Sequence, residues 1–386
     1  MGKIMSAGEP ISVMTSDDDT RWMYHALELA QRGRGFVEPN PVVGAVIVKD
    51  GRILGQGYHE KFGGPHAEIH ALRMAGPQAA GATAYVTLEP CCHTGKTGPC
   101  TRALIEAKVS RVVAAVLDPN PLVAGRGVLE LRRHGIAVVL GTCARRATRI
   151  NAPFFKLISL KRPYVIAKWA QTLDGAMADR FNSSKWISCE ESRQQVHALR
   201  GRVDAILVGV GTVLADDPLL TARPRNPVEI RRRATRCVLD ASCRLPLDSR
   251  LVQSAKEYPT VIFHRRLLDP AAEDRRRHIA AAGVECVAID NSDEAAGELS
   301  FAAVLDELGR RMMSHVLVEG GTEVLGHLLR HRLVDEAHVF IAPRILGDHQ
   351  ARRIVLQPNA KLNEALNASI LEQVRCGTDI KMVLQF

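Results

Sequence analysis

The chain has 386 residues, 46% of them hydrophobic and 24% charged, with a formal net charge of +9. This length favours two domains with separate cores, and nine cysteines spread over it exclude the cysteine-dense framework of a small secreted protein. No apolar run is long enough for a membrane helix and the first residues lack a signal-peptide core, so we expect a cytoplasmic protein.

The positive charge indicates anionic ligands, but the arginine-rich runs at 231–236, 264–266 and 274–278 have no interleaved aromatic residues. We interpret them as solvated side chains on loops and helix faces. A phosphorylated small molecule and a dinucleotide explain this charge as well as a nucleic acid does. We therefore predict no nucleic-acid partner and no membrane partner.

The first third of the chain alternates helix and strand patterns after a predicted disordered extension at 1–18. Asp19 or Thr20 is the predicted cap of the first helix, and Asp50-Gly51 is typical of a hairpin turn. The predicted elements are a helix at 20–33, a hairpin at 40–59, helices at 65–76, 100–109 and 125–135, and strands at 81–90, 111–119 and 136–141. This order predicts a layered α/β domain over 19–145.

Residues 146–162 are basic and are predicted to form a linker or a bridging helix. A second alternation follows, which predicts another α/β domain with a mixed sheet over 163–386. Its predicted strands are 164–172, 205–212, 236–240, 260–264, 285–289, 315–321, 336–343 and 379–386, and its predicted helices are 189–201, 301–311 and 322–333.

One constellation in the first domain carries metal chemistry. His66 and Glu68 stand at a predicted helix start, Cys91 follows a strand, and Cys100 opens the next helix, a position that lowers the pKa of a thiol. His66, Cys91 and Cys100 would leave the fourth tetrahedral position of zinc for water, whose proton Glu68 could move. Zinc nucleobase deaminases have this arrangement, although their second cysteine follows the first by three residues and here by nine.

Two other interpretations of the same residues stay open. The cysteines could be inert buried thiols beside a core histidine, or Cys92 could join the ligands in a closed structural zinc site. Cys92 would point opposite to Cys91 if strand geometry persists, which argues against the closed site. His93 is expected to face the substrate.

The longer pattern resembles the bifunctional riboflavin-biosynthesis deaminase–reductases. In the first domain the resemblance lies in "PNPVVGAVIVKDG", "GGPHAE", "TLEPCCHTGKTGPC" and "DPNPLVAGRG", and in the second in "AKWAQTLDG", "LVGVGTVLADDPLLTAR" and "VEGGTEVLG". It implies a cytidine-deaminase-like three-layer domain followed by a dihydrofolate-reductase-like domain. It also implies one zinc ion per deaminase domain, NADPH for the reductase, and a homo-oligomer.

The implied reactions are hydrolytic deamination of 2,5-diamino-6-ribosylamino-4(3H)-pyrimidinone 5′-phosphate and then NADPH-dependent reduction of its ribosyl chain to ribityl. By the resemblance, His66, Cys91 and Cys100 match the zinc ligands and Glu68 the catalytic proton shuttle. The positions that match contacts to the deaminase substrate are Asn40, His59, His93, Lys96, Asp118 and Asn120.

In the second domain the resemblance implies binding roles. The positions that match the reductase substrate are Lys168, Ser184, Arg200, Leu220, Arg223 and Glu319, of which Arg200 and Arg223 would clamp the phosphate. The positions that match the cofactor are Ala170, Trp186, Thr212, Asp216, Gly321, Thr322, Glu323, Val324, Leu325, Gly326 and His327. The stretch "GVGT" lacks the G-x-G-x-x-G spacing, which disfavours a Rossmann domain.

Three positions depart from the family pattern. Ala176 replaces a usual basic residue, Asn182 a frequent glycine, and Thr172 a common serine. Asparagine tolerates left-handed backbone, so the turn at Asn182 should form.

The alternatives to two activities are a deaminase with a degenerate reductase domain and a nucleic-acid deaminase acting on tRNA. The tRNA deaminase predicts P-C-x-x-C spacing and no second domain, and this chain has neither feature.

Overall fold

The computed structural model describes residues 16–94, 98–290, 299–356 and 361–386. Most of the predicted extension at 1–18 lies outside the described residues, and residues 16–18 cap and begin the first helix. The chain divides into two compact units, Met1–Phe155 and Lys156–Phe386. Among the described residues, no helix combines the length and the apolarity needed to span a bilayer.

Unit 1 contains a five-stranded sheet in the order β2-β1-β3-β4-β5, in which β3, β4 and β5 are parallel and β1 is antiparallel to its neighbours. Its elements are α1 (Asp17–Gln31), β1 (Gly44–Lys49), β2 (Arg52–Tyr58), α2 (Ala67–Ala75), β3 (Thr83–Val86), α3 (Cys100–Glu106), β4 (Arg111–Ala114), α4 (Arg126–Arg133), β5 (Ala137–Leu140) and α5 (Ala144–Ile150). The predicted element order is confirmed.

The cap predicted for α1 at Asp19 or Thr20 is wrong. Ser16 caps this helix, because its hydroxyl accepts a hydrogen bond from the Asp19 N–H at 3.1 Å while the Asp19 carboxylate reaches back to the Ser16 N–H. This reciprocal capping box satisfies two backbone donors at once. The predicted hairpin is confirmed: Asp50 and Gly51 have φ of 49° and 69°, the left-handed pair that a two-residue turn requires.

Helices cover both faces of this sheet. On β1, Val46 and Val48 face α1, and a Cβ on Gly44 would meet the Ala26 carbonyl of α1 at 2.0 Å. Alternate residues face the other side, where α2 lies so close to β2 that a Cβ on Gly55 would be 2.1 Å from the Ala71 carbonyl. The result is a three-layer arrangement that fixes the start of α2 relative to the sheet.

Residues 146–162, predicted as a linker or bridging helix, contain the end of α5 and the helix α6 (Ala152–Leu160), within which the two units divide. Unit 2 continues with β6 (Tyr164–Gln171), α7 (Glu190–Arg200), β7 (Ala205–Gly209), α8 (Val210–Asp216), β8 (Thr235–Leu239), α9 (Arg250–Gln253), β9 (Thr260–Arg265), α10 (Pro270–Ala281), β10 (Glu285–Ile289), α11 (Phe301–Arg310), β11 (His315–Glu319), α12 (Thr322–Arg330), β12 (Glu336–Ile341), β13 (Ser369–Cys376) and β14 (Asp379–Gln385).

The sheet of unit 2 has the order β10-β9-β8-β7-β11-β6-β12-β14-β13. The strands from β10 to β12 are parallel, and β14 and β13 add an antiparallel edge, so the predicted mixed sheet is confirmed. Because parallel neighbours end at the same edge, the ends of β6, β7 and β11 bring Lys168, Gly209 and Glu319 to one side of the sheet.

In unit 2 one strand prediction needs correction, and one strand and the three helices α8, α9 and α10 were not predicted. The strand predicted at 205–212 ends at Gly209, because α8 begins at Val210 and takes up the rest of the "GVGT" stretch. The edge strand β13 was not predicted at all. Its residues are mostly exposed and it pairs only with β14, so it lacks the apolar signal of a buried strand.

Candidate functional site

The start of α2 presents His66 and Glu68 in unit 1. His66 is the cap residue with extended backbone, and Glu68 lies in the first turn with only 3% of its surface exposed. Burial raises the pKa of the Glu68 carboxyl to about 7. Its Oε2 has no hydrogen-bond partner among the described residues.

The two predicted cysteine ligands reach the same place from different elements. The Cys91 Sγ lies 3.5 Å from His66 Nδ1, and the Cys100 Sγ lies 3.2 Å from the same nitrogen. The Cys100 backbone N–H donates to the Cys91 sulfur at 3.4 Å. These contacts, first of all the one with the Cys100 thiol, lower the pKa of the Cys91 thiol and favour a thiolate there.

This donor set fits zinc. One nitrogen and two sulfurs lie within 4.8 Å of one another. Tetrahedral zinc with ordinary Zn–N and Zn–S lengths would place its nitrogen and sulfur ligands about 3.6 Å apart. The observed separations of 3.2 and 3.5 Å are close to that value. Three protein ligands leave one coordination position for water, as in catalytic zinc sites.

Cys92 is not part of this cluster. Among the described residues, the group close enough to hold a metal consists of His66, Cys91 and Cys100. The Cys92 thiol points away and lies 3.8 Å from the Leu122 carbonyl. The geometry therefore provides three ligands rather than the four of a structural site.

Two of the predicted substrate positions, His59 and Asp118, interact with residues of the cluster through ring contact or charge. The His59 ring lies 5.4 Å from the His66 ring, and His59 Nε2 and His93 Nδ1 are buried without hydrogen-bond partners among the described residues. Burial also raises the pKa of Asp118 to about 6, and its carboxylate accepts the Asn120 N–H at 2.8 Å. Asn40 precedes Pro41, whose carbonyl accepts a hydrogen bond from His59. Lys96 lies outside the described residues.

Sequence reasoning missed Glu89. Its buried carboxylate accepts the backbone N–H groups of Asp118 at 3.2 Å, Gly125 at 2.9 Å and Val128 at 3.1 Å. It therefore fixes the loop that carries Asp118 and Asn120. No sequence signal distinguishes such a carboxylate, because its three partners lie 29 to 39 residues away.

In unit 2, a cavity of about 850 Å³ opens at the carboxyl ends of β6, β7 and β11. It is lined by most of the predicted substrate and cofactor positions: Lys168, Ala170, Ser184, Trp186, Arg200, Thr212, Asp216, Leu220, Arg223, Glu319, Gly321, Thr322, Glu323 and Val324. Residues that lie more than 150 positions apart in the sequence thus share one wall. A volume of this size suits a cofactor together with a small substrate.

A buried ion-pair network forms the floor of this cavity. The Arg200 guanidinium makes two hydrogen bonds to the Glu319 carboxylate, at 2.6 and 2.8 Å, and Lys168 is the neighbour of Glu319 across β6 and β11. Burial lowers the pKa of the Lys168 ammonium, with Arg200 as a further cause. The guanidinium of Arg200, which was predicted to bind phosphate, is therefore already engaged in a bidentate ion pair with the Glu319 carboxylate.

Glycines at the end of β11 contribute exposed backbone to the cavity. The Gly321 N–H donates to the Thr212 hydroxyl at 3.1 Å, and Gly320 has a φ of 139° with its Cβ position 2.8 Å from the same hydroxyl. Only glycine fits such a backbone without strain. The close approach fixes the end of β11 against α8 in the wall of the cavity.

Three predicted cofactor positions do not line the cavity. Leu325 lies in the core, a Cβ on Gly326 would meet the Val355 carbonyl at 2.7 Å, and the His327 ring stacks at 4.1 Å on Phe301. Conversely, sequence reasoning missed six charged or titratable residues that line the cavity: Lys185, Glu190, Arg193, His197, Arg250 and Arg352. Of these, His197 precedes Arg200 by three residues on α7, so helical spacing could have identified it.

The departures at Ala176 and Asn182 are accommodated by the backbone. Asn182 adopts a φ of 67°, as expected for a residue in place of glycine, and it lines the cavity. Ala176 is fully buried, and its N–H donates to the Thr172 hydroxyl at 2.9 Å. The turn therefore forms with these residues.

Two protein families match the two halves of the chain. Residues 16–116 match the cytidine and deoxycytidylate deaminase zinc-binding region, and residues 163–382 match the RibD C-terminal domain. The riboflavin biosynthesis protein RibD of Aquifex aeolicus is 43% identical over 335 residues, which cover 87% of this chain and 90% of that protein. RibD of Escherichia coli is 42% identical over 371 residues, covering 94% and 98%.

Solved structures agree. Acinetobacter baumannii RibD superposes with a TM-score of 0.82 at 37% identity, and the match covers 95% of this chain and 98% of that one. A diaminohydroxyphosphoribosylaminopyrimidine deaminase/5-amino-6-(5-phosphoribosylamino)uracil reductase from Thermotoga maritima gives a TM-score of 0.80 at 34% identity, with the same coverage.

The fold and the two sites together define a bifunctional enzyme with a zinc-dependent deaminase domain and an NADPH-dependent reductase domain. The chain belongs to the RibD family of riboflavin biosynthesis proteins. This confirms the predicted cytidine-deaminase-like and dihydrofolate-reductase-like domains and the predicted cofactors.

Proposed function

We propose that unit 1 hydrolyses the 2-amino group of 2,5-diamino-6-ribosylamino-4(3H)-pyrimidinone 5′-phosphate, and that unit 2 then reduces the ribosyl chain of the product with NADPH. The observation that carries the proposal is the cluster of His66, Cys91 and Cys100 beside the buried carboxylate of Glu68. The similarity to Acinetobacter baumannii RibD, and to the Thermotoga maritima protein that is named for both reactions, supports the pairing of activities.

In the deaminase step, His66, Cys91 and Cys100 would hold zinc, which when bound lowers the pKa of a coordinated water and so supplies a nucleophile. Glu68 Oε2 would accept a proton and return it to the leaving amino group. A pKa near 7 suits this role, because the carboxyl can be found in either protonation state at neutral pH. His59 and His93 have unpartnered buried nitrogens available to the pyrimidine.

In the reductase step, NADPH supplies the hydride when bound, and the protein binds, orients and excludes water. The backbone N–H groups of the first turn of α12, from Thr322 onward, would hold a cofactor phosphate. Lys168 and Glu319, which lie side by side at the floor of the cavity, would bind the substrate. We assign binding roles, not acid–base roles, to these residues.

The test follows both products of one incubation. Purified protein is mixed with the diaminopyrimidinone phosphate, with and without NADPH, and products are measured by mass spectrometry and ammonia assay. We expect ammonia release without NADPH and a ribityl product only with it. Ammonia release alone in both mixtures would mean a degenerate reductase domain. With zinc bound and neither product formed, the substrate assignment would be wrong, and tRNA would be tried next.

We further infer a cytoplasmic enzyme that forms homo-oligomers and needs neither nucleic acid nor membrane as a partner. Light scattering coupled to size-exclusion chromatography measures the oligomeric state directly. A monomer at micromolar concentration would contradict the expectation.

A further inference from the structure

The reductase cavity carries more positive charge than its carboxylates balance. Arg200, Arg223 and Arg250 all line it. Arg200 is committed, because its two donors bind Glu319 at 2.6 and 2.8 Å. Neither Arg223 nor Arg250 forms an ion pair with any residue in the described part of the chain. Two guanidinium groups thus remain available to an anion.

Both side chains of this pair line the same cavity. Burial lowers the pKa of the Arg223 guanidinium, and the positive charges of Arg200 and Arg250 lower it further. The Arg223 guanidinium donates to the Thr221 hydroxyl, a neutral acceptor that leaves its charge unbalanced. The Arg250 backbone N–H donates to the Asp217 carboxylate at 2.8 Å, and the Arg250 guanidinium makes no hydrogen bond or ion pair among the described residues.

A buried arginine holds together the two segments that carry this pair. Arg236 is fully buried, yet its partners are neutral oxygens. It donates to the Leu219 carbonyl at 3.3 Å and to the Leu251 carbonyl at 2.9 Å. Leu219 lies in the loop that leads to Arg223, and Leu251 is next to Arg250. The spacing of the two free arginines is therefore set from within the core.

We propose that Arg250 is a phosphate-binding residue of the reductase cavity and that it acts together with Arg223. The ligand class is a phosphomonoester, whose dianion suits two guanidinium groups that form no ion pair among the described residues. The proposal rests on the proposed function for the choice of ligand. Two groups of that reaction carry a phosphomonoester, namely the 5′-phosphate of the substrate and the 2′-phosphate of NADPH.

The test compares Arg250→Gln, Arg250→Lys and the control Arg244→Gln with the wild type. Arg244 is exposed, lies in the same segment and does not line the cavity. Reductase kinetics are measured with the deaminated substrate and with NADPH varied in turn. We expect Arg250→Gln to lower kcat/KM for one of the two roughly 10- to 100-fold, mainly through KM. Arg250→Lys should recover part of the loss because it restores a charge, and Arg244→Gln should match the wild type.

The ligand whose KM rises identifies the phosphate. A rise for the pyrimidine substrate assigns its 5′-phosphate, whereas a rise for NADPH with no change for NADH assigns the 2′-phosphate. Unchanged KM values for both ligands would overturn the proposal.

Calorimetric binding of ribose 5-phosphate and of adenosine 2′-phosphate to the same variants separates this proposal from the proposed function, because it needs no turnover. Weaker binding of either probe by Arg250→Gln, but not by Arg244→Gln, supports the phosphate site even if the reduction itself failed. Equal binding of both probes by all variants would overturn it.

Discussion

Glu68 and Cys91 have ordinary side chains whose surroundings give them opposite pKa shifts. Glu68 is buried, and this burial outweighs the opposing effects of the His66 charge and a hydrogen bond with Cys100, so its pKa rises to about 7. Cys91 receives hydrogen bonds from the Cys100 thiol, from His66 and from the Cys100 N–H, so its thiolate is favoured. The same small site therefore favours a protonated carboxyl group at Glu68 and, at Cys91, a thiolate that can bind a metal.

We expect Glu68→Gln to lower the rate of ammonia release at least 100-fold while zinc stays bound. The amide keeps the shape of the side chain but cannot accept the proton, and the three ligands are unchanged. Ammonia assay and metal analysis by plasma mass spectrometry measure the two quantities. Glu106→Gln, which alters an exposed carboxylate of α3, is the control. A deamination rate near the wild-type value would remove Glu68 from the mechanism.

The roles of Cys92 and Cys100 can be distinguished by measuring the zinc content of variants that lack one or the other. Cys100→Ala should lose most of the bound zinc, because it removes one of three ligands, whereas Cys92→Ala should bind zinc as the wild type does. One zinc per chain in the first variant, or a metal-free protein in the second, would contradict the ligand assignment.

At the scale of elements, one buried carboxylate joins α1 to the sheet of unit 1. Asp19 accepts two hydrogen bonds from Arg111 at the start of β4, at 2.7 and 2.8 Å, and one from the Tyr85 hydroxyl of β3 at 2.9 Å. The Arg111 side chain is the main cause that lowers the pKa of Asp19 to about 2. The residue that closes the capping box thus also anchors the helix.

Asp19 should make stability depend on pH. Its pKa is lower in the folded state, about 2 against 3.8, so its contribution is present above pH 3.8 and is lost as the pH falls through 2. Asp19→Asn should lower the free energy of unfolding by about 2 kcal/mol at pH 7 and by little near pH 2. Chemical denaturation across this range measures it, with the exposed Asp18→Asn as control. A difference that does not change with pH would be inconsistent with the ion pair.

Arg236 joins separate segments of unit 2 through buried hydrogen bonds, as Asp19 joins α1 to the sheet in unit 1. Besides Leu219 and Leu251, it donates to the Tyr258 carbonyl at 3.0 Å and to the Ser254 hydroxyl at 2.7 Å. Burial lowers the pKa of Arg236 to about 10, which still leaves it charged at neutral pH. A loop, α9 and the start of β9 are thereby held by one side chain.

We expect Arg236→Met to lower the free energy of unfolding by about 3 kcal/mol, because several buried carbonyls would lose their donor. Arg233→Met is the matched control: Arg233 also lies over the Tyr258 ring, at 5.0 Å, but it is exposed. Denaturant titration of both variants gives the comparison. Equal losses for the two would mean that the buried hydrogen bonds contribute little.

At the scale of the whole molecule, each unit contains its own set of residues for one reaction. The zinc ligands all lie in unit 1, and the residues that line the reductase cavity all lie in unit 2. Metal chemistry is needed only for the deamination, since the reduction uses a hydride from NADPH.

Removal of zinc with a chelator should therefore abolish ammonia release and leave the reduction of the separately supplied deaminated product unchanged within about twofold. Spectrophotometric oxidation of NADPH follows the second reaction, and re-addition of zinc should restore the first. Loss of both activities on chelation would show that the metal also supports the reductase domain.

The sequence by itself determined the class of chemistry and the order of elements in unit 1, whereas in unit 2 the prediction left out α8, α9, α10 and β13. The zinc ligands and Glu68 could be predicted because prolines, element ends and short spacings are local signals. The hairpin at Asp50-Gly51 could be predicted for the same reason, since its backbone conformation depends on two adjacent residues. The resemblance to the family added the positions of the reductase site, most of which line one cavity.

Only the tertiary structure decided which of those positions meet. Arg200 binds Glu319, which lies 119 residues further along the sequence, and Leu325 packs into the core. Arg250 lines the cavity although no sequence motif predicted it. The physical reason is the strand order: β11 lies between β7 and β6, so residues far apart in the chain become neighbours at one sheet edge. The spacing of residues along the chain does not indicate that β11 pairs with β7 and β6.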